Sequence, residues 1–187
     1  MLKKILTYGL IAGLLSGGPL FAITVTLRGS PPPYGVVLGY LTMLVALSFV
    51  FIAIKRQRDV QGGGVIRFWP AFGLGLGISA VAAVLYVVAW EAALAVTGAD
   101  FAAEYTKMLL AEKRAGGATD AELAELAAQM ESFRVQYANP LFRLPMTFAE
   151  IFPVGLLVSL VSAALLRNPR FLPARRAPLA AGVPDAR

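Results

Sequence analysis

Four long apolar runs constrain this chain more than any other feature. They cover roughly Ile5 to Thr26, Tyr34 to Ile54, Phe68 to Val96 and Met146 to Leu166. The third is interrupted only by Glu91 and the fourth only by Glu150. Crossing a hydrocarbon layer of about 30 Å takes about 20 helical residues. All four runs reach that length, and the third exceeds it and should tilt or protrude. None alternates with a period of two, which argues against a transmembrane β-barrel. The expected fold is all-α: a polytopic, four-transmembrane-helix bundle.

Composition agrees. The 187 residues are 58% hydrophobic and 15% charged, whereas a soluble domain is about half apolar and a quarter charged. There is no cysteine and no histidine. That excludes a disulfide framework, a thiolate metal site and histidine acid–base chemistry. The net charge of +6 need not mean nucleic acid, because basic nucleic-acid binders are seldom this apolar. Lys3-Lys4 before an apolar stretch also fits a signal peptide. However, the stretch is too long, and Leu20 spoils the small-x-small pattern near Ala22, so the first run is expected to stay as a helix.

Positive charge sets the orientation. With the N-terminus inside, the inner segments hold Lys3, Lys4, Lys55, Arg56, Arg58, Arg67, Arg167, Arg170, Arg175, Arg176 and Arg187. The outer segments hold Arg28, Lys107, Lys113, Arg114, Arg134 and Arg143. Both termini are therefore expected in the cytoplasm. The membrane domain spans 1–168. The remainder, 169–187, is rich in Arg, Pro and Ala and reads as a disordered basic cytoplasmic tail. Its bases either set topology or touch anionic headgroups.

The outer segment 97–145 between the third and fourth helices reads as an extracytoplasmic helical insertion. Asp100 can cap a helix that Gly116-Gly117 ends. Thr119 and Glu122 form a capping box for a second helix, which Asn139-Pro140 stops. Apolar stripes on the two helices either pack together or lie on the bilayer surface. Seven acids against five bases make this no polybasic lipid-binding element.

Small residues recur every fourth position: Gly9, Gly13 and Gly17; Gly73 and Gly77, with Gly75 and Ser79 beside them; and Gly155, Ser159 and Ala163. Lipid gives little hydrophobic drive between helices, so close backbone approach matters. These rows serve either packing within the bundle or homodimerisation. Gly73-Leu74-Gly75-Leu76-Gly77 follows no strand, so it is not read as a nucleotide loop.

Glu91 and Glu150 are the candidate intramembrane polar site, with Arg143 as a partner. An acid at mid-membrane costs about 2.5–3.5 kcal/mol on insertion scales. If the fourth helix begins near Met146, each acid lies about one turn inside, so they share a depth. Two roles stay open for each. Glu150 follows Thr147 by three and fits a cap, while Glu91 can pair with Arg143 or reach the interface beside Trp90; otherwise both serve an ion, proton or ligand. Pro145 argues against an earlier start for the fourth helix, and Pro153 should remove one backbone bond from it. No Lys or Asp lies in an apolar run and no Gly-Lys-Ser/Thr loop exists, so enzyme signatures, metal ligands and cofactor motifs are not found.

The runs Val84-Leu-Tyr-Val-Val-Ala-Trp90-Glu91 and Tyr137-Ala-Asn-Pro140, continuing through Phe148-Ala-Glu150 to Ser162, resemble a bacterial membrane-protein family, domain of unknown function number 4199. The resemblance spans roughly Leu2 to Asn168. It implies four membrane helices with a long segment between the third and fourth, and no established activity, cofactor or catalytic residue. The expected role is therefore a non-enzymatic structural or accessory protein acting through a membrane-protein partner or self-association. The other reading is a small ion- or proton-coupled transporter using Glu91 and Glu150.

Overall fold

The computed structural model describes residues 1–28 and 34–173. Among these, the chain forms α1 (Leu2–Thr26), α2 (Gly35–Arg56) with a π turn continuing it over Gln57–Gln61, and α3 (Phe68–Thr97). Then follow α4 (Phe101–Ala115), α5 (Asp120–Tyr137) and α6 (Pro140–Leu166). No strand occurs among the described residues. Helices α1, α2 with its π turn, α3 and α6 are each long and apolar enough to cross a membrane. The fold is an all-α bundle of four such helices.

Helix α3 is the hub. Its N-terminal two-thirds lies parallel to α1 in a fixed register: an added Cβ at Gly9 would stand 2.6 Å from Val81 Cβ, at Gly13 2.6 Å from Leu85 Cδ1, and at Gly17 2.9 Å from Ala89 Cβ. Each glycine of that row thus faces a bulkier residue 72 positions later, and Ile5 fits against Gly77 in the same way. On its other side α3 runs antiparallel to α6. There Gly75 abuts Ser159 and Gly155 abuts Ser79, and the two serine hydroxyls lie 3.2 Å apart. The small residues are reciprocal, so the two backbones approach closely at both contacts. Leu47, Val50 and Ile54 of α2 close the core with Leu74, Ile78, Ile151 and Leu166, all fully buried.

Beyond the continuation of α2 past Ile54 to Gln61, three boundaries differ from the sequence expectation. Helix α1 begins at Leu2, three residues before the apolar run. Helix α6 begins at Pro140, not Met146. Asn139 caps it by accepting the Leu141 N–H at 3.0 Å, and a proline at the first helical position gives up no bond. Pro145 frees only the Leu141 carbonyl, so it does not delay the helix. The third difference is the expected tail, whose first residues are held in place. Phe171 packs edge-on to Phe51 at 6.5 Å, and the Phe171 and Leu172 carbonyls accept from Arg58. Arg175, Arg176 and the rest of 174–187 lie outside the described residues.

Candidate functional site

Glu91 and Arg143 meet where α3 ends and α6 begins. Because α6 starts early, Arg143 sits in its first turn, facing α3. Its Nε and one terminal nitrogen donate to the two Glu91 oxygens at 2.6 Å each. A cation in a helix's first turn opposes the helix dipole; the bidentate Glu91 carboxylate offsets this, and Arg143 in turn neutralises Glu91. The other terminal nitrogen donates to the Tyr137 carbonyl at 3.2 Å, and the guanidinium lies 5.7 Å from the Tyr137 ring centre. One arginine therefore ties α3, α5 and α6 together.

An aromatic cluster completes the joint. Trp90 donates its indole N–H to the Tyr137 hydroxyl at 2.8 Å. Phe101 meets Trp90 edge-on at 4.8 Å, and Phe133 packs on Tyr137 at 5.4 Å. Burial pushes the Tyr137 phenol up to about 12, although the Trp90 bond acts the other way. The α4–α5 hairpin is thus docked on the end of the bundle, and its two helices pack on each other. Its caps form as the sequence suggests. Asp100 accepts the Ala103 N–H at 3.0 Å, and Thr119 and Glu122 make a reciprocal capping box. Arg134 of α5 reaches Asp100 of α4 at 2.6 Å. Burial raises the Asp100 carboxyl, but Arg134 and the Ala103 N–H outweigh it and hold the group below its ordinary value. Between hairpin and bundle lies an open cleft of about 520 Å³ lined by Asp100, Phe101, Arg134, Tyr137 and Arg143.

Glu150 does not join this site. Arg143 and Glu91 are level, so Glu150 lies seven residues further along α6, about 10 Å deeper at 1.5 Å per residue. The expected common depth fails because α6 begins six residues early. Glu150 is not a cap either, since Asn139 holds that place and the Thr147 hydroxyl donates to the Arg143 carbonyl. Its partner is the Tyr86 hydroxyl of α3, which donates at 3.5 Å. Of the small residues, Gly9, Gly13, Gly17, Gly77, Gly155 and Ser159 lie in helix contacts, whereas a Cβ added at Gly73 would meet no other helix within 4 Å. Gly75, which the fourfold spacing left to one side, is the one that meets α6.

The sequence reading missed Arg58, counted there only as an inner charge. It is fully buried at the opposite end of the bundle. It donates to Asp59 at 2.7 Å and to the Phe171 and Leu172 carbonyls, while Lys55 also reaches Asp59. The i, i+4 spacing of Lys55 and Asp59 is the one local hint.

The family model described as "Protein of unknown function (DUF4199)" matches residues 7–168. No curated protein and no solved structure matches the chain.

Proposed function

We propose, for a chain that belongs to the DUF4199 family of unknown function, a non-enzymatic accessory role in a bacterial inner membrane, exercised through a protein partner or self-association. The observation that carries this reading is the docked hairpin. Trp90, Tyr137 and the Glu91–Arg143 pair fix α4–α5 on the bundle end, so the hairpin is held as a platform. In the orientation that puts both termini in the cytoplasm, this platform is extracytoplasmic. The pairing of Glu91 within the chain also favours a structural use of that acid.

The test is cross-linking in the native membrane, followed by purification through the full chain. The expected result is a discrete adduct, either a dimer or a defined heteromer, formed from positions on the hairpin surface such as Glu112. Recovery of monomer alone from hairpin positions sinks the reading.

One observation favours the ion- or proton-coupled alternative: Glu150 has no cation beside it among the described residues. If Glu91→Gln and Glu150→Gln both leave flux or growth unchanged at constant protein level, that alternative fails.

A further inference from the structure

The outward face of α6 carries more hydrogen-bond acceptors than the described residues supply with donors. Glu150 is exposed on that face, together with Met146, Pro153 and Leu157. Buried Tyr86 holds the carboxylate from one side at 3.5 Å, leaving its other side open. Pro153 has no N–H to give the Ala149 carbonyl, and Ala149 is exposed beside Glu150. Lipid tails offer no donors, so acceptors at this depth must be met by protein. Among the described residues no free cation lies there. No Lys or Arg lies in 5–27, 34–54, 68–96 or 144–166, and Arg143 is engaged by Glu91 on one edge and by the Tyr137 carbonyl on the other. A second copy, laid parallel or antiparallel, brings none to this depth either.

We propose that the α6 face centred on Glu150 docks a transmembrane helix of a different protein, one carrying a Lys or Arg near mid-bilayer. A basic side chain supplies several donors at once and neutralises the carboxylate, matching both the charge and the excess of acceptors. The proposal rests on the association reading above and names the partner's chemistry.

The full chain, dye-labelled at a single introduced cysteine (Glu112→Cys), is reconstituted in phosphatidylcholine vesicles with labelled Leu-rich transmembrane peptides. One peptide carries a central Arg and its match carries Leu. Energy transfer should show the Arg peptide associating roughly tenfold more tightly, the scale of an interhelical polar bond. The preference should vanish in Glu150→Gln. Equal association of the two peptides with the unaltered chain overturns the proposal, and that comparison stands even if the variant misfolds. Self-association that requires Glu150 overturns it too, since it makes the occupant a second copy. Hairpin adducts in native membranes with no Arg preference defeat this proposal alone. An Arg preference without hairpin adducts defeats the platform reading alone.

Discussion

At the scale of single residues, the Glu91–Arg143 pair is the most consequential contact. Its side chains are 29% and 15% exposed, so its worth lies between an exposed pair and a fully buried one. Removing one partner should cost about 2 kcal/mol, because the other charge is left half-desolvated. Arg143→Met should therefore destabilise the fold, and Glu91→Leu in the same chain should recover part of the loss. A double-mutant cycle on denaturation in detergent measures this. Additive effects would show that the pair does not couple. Glycines allow a sharper comparison. An added methyl at Gly155 meets Ser79 Cβ at 2.6 Å, while at Gly73 it meets nothing. Gly155→Ala should cost about 1–3 kcal/mol through overpacking. Gly73→Ala should be neutral or stabilise by up to about 1 kcal/mol, since alanine is the better helix former. Equal loss at both positions would mean that α3 does not pack on α6 through this register.

At the scale of elements, the α4–α5 hairpin is held by acids that act as caps, which makes it sensitive to pH. The Asp100 and Glu122 carboxyls are both held below their ordinary values of 3.8 and 4.5. For Asp100 burial opposes the shift and Arg134 outweighs it; for Glu122 the Thr119 N–H leads. A lowered acid stabilises the folded state above its unfolded value, and the stabilisation disappears as pH falls through the folded value. Protection from amide exchange, relative to the intrinsic rate at each pH, should therefore fall at the starts of α4 and α5 below pH about 4, before α3 or α6 responds. Simultaneous loss across all helices would place the acid-labile interaction elsewhere. These same caps were legible in the sequence because they join residues three apart. The start of α6 was not. Asn139-Pro140 ends α5 and opens α6 with only Ala138 and Asn139 between, and local rules read it only as a stop. The rotational phase of α3 was hidden for another reason. Whether Gly73 or Gly75 faces α6 depends on the partner helix, which spacing along one helix does not specify. Arg58 was hidden by distance: its carbonyl partners lie 113 and 114 residues away.

At the scale of the whole molecule, the two ends of the bundle are built differently. One end carries the helix-end bases Lys3, Lys4, Arg56, Arg67, Arg167 and Arg170 and the buried Arg58, which pins the chain leaving α6 through the Phe171 and Leu172 carbonyls. The other carries the aromatic joint and a hairpin in which acids offset the bases. Lys and Arg near helix ends resist translocation, whereas acids contribute little. The basic end should therefore face the cytoplasm. Because the chain has no cysteine, a single introduced thiol reports its side without background. Glu112→Cys lies on exposed α4 and Val60→Cys on the exposed turn after α2. In intact spheroplasts, a membrane-impermeant maleimide should label Glu112→Cys at once and Val60→Cys only after permeabilisation. The reverse pattern would invert the molecule and turn the hairpin into a cytoplasmic element. Labelling of both positions before permeabilisation would break the four-span topology itself, since an odd number of crossings must separate residues 60 and 112. Only α3 lies between them, so this pair of thiols tests whether that one helix crosses the bilayer, and in which direction.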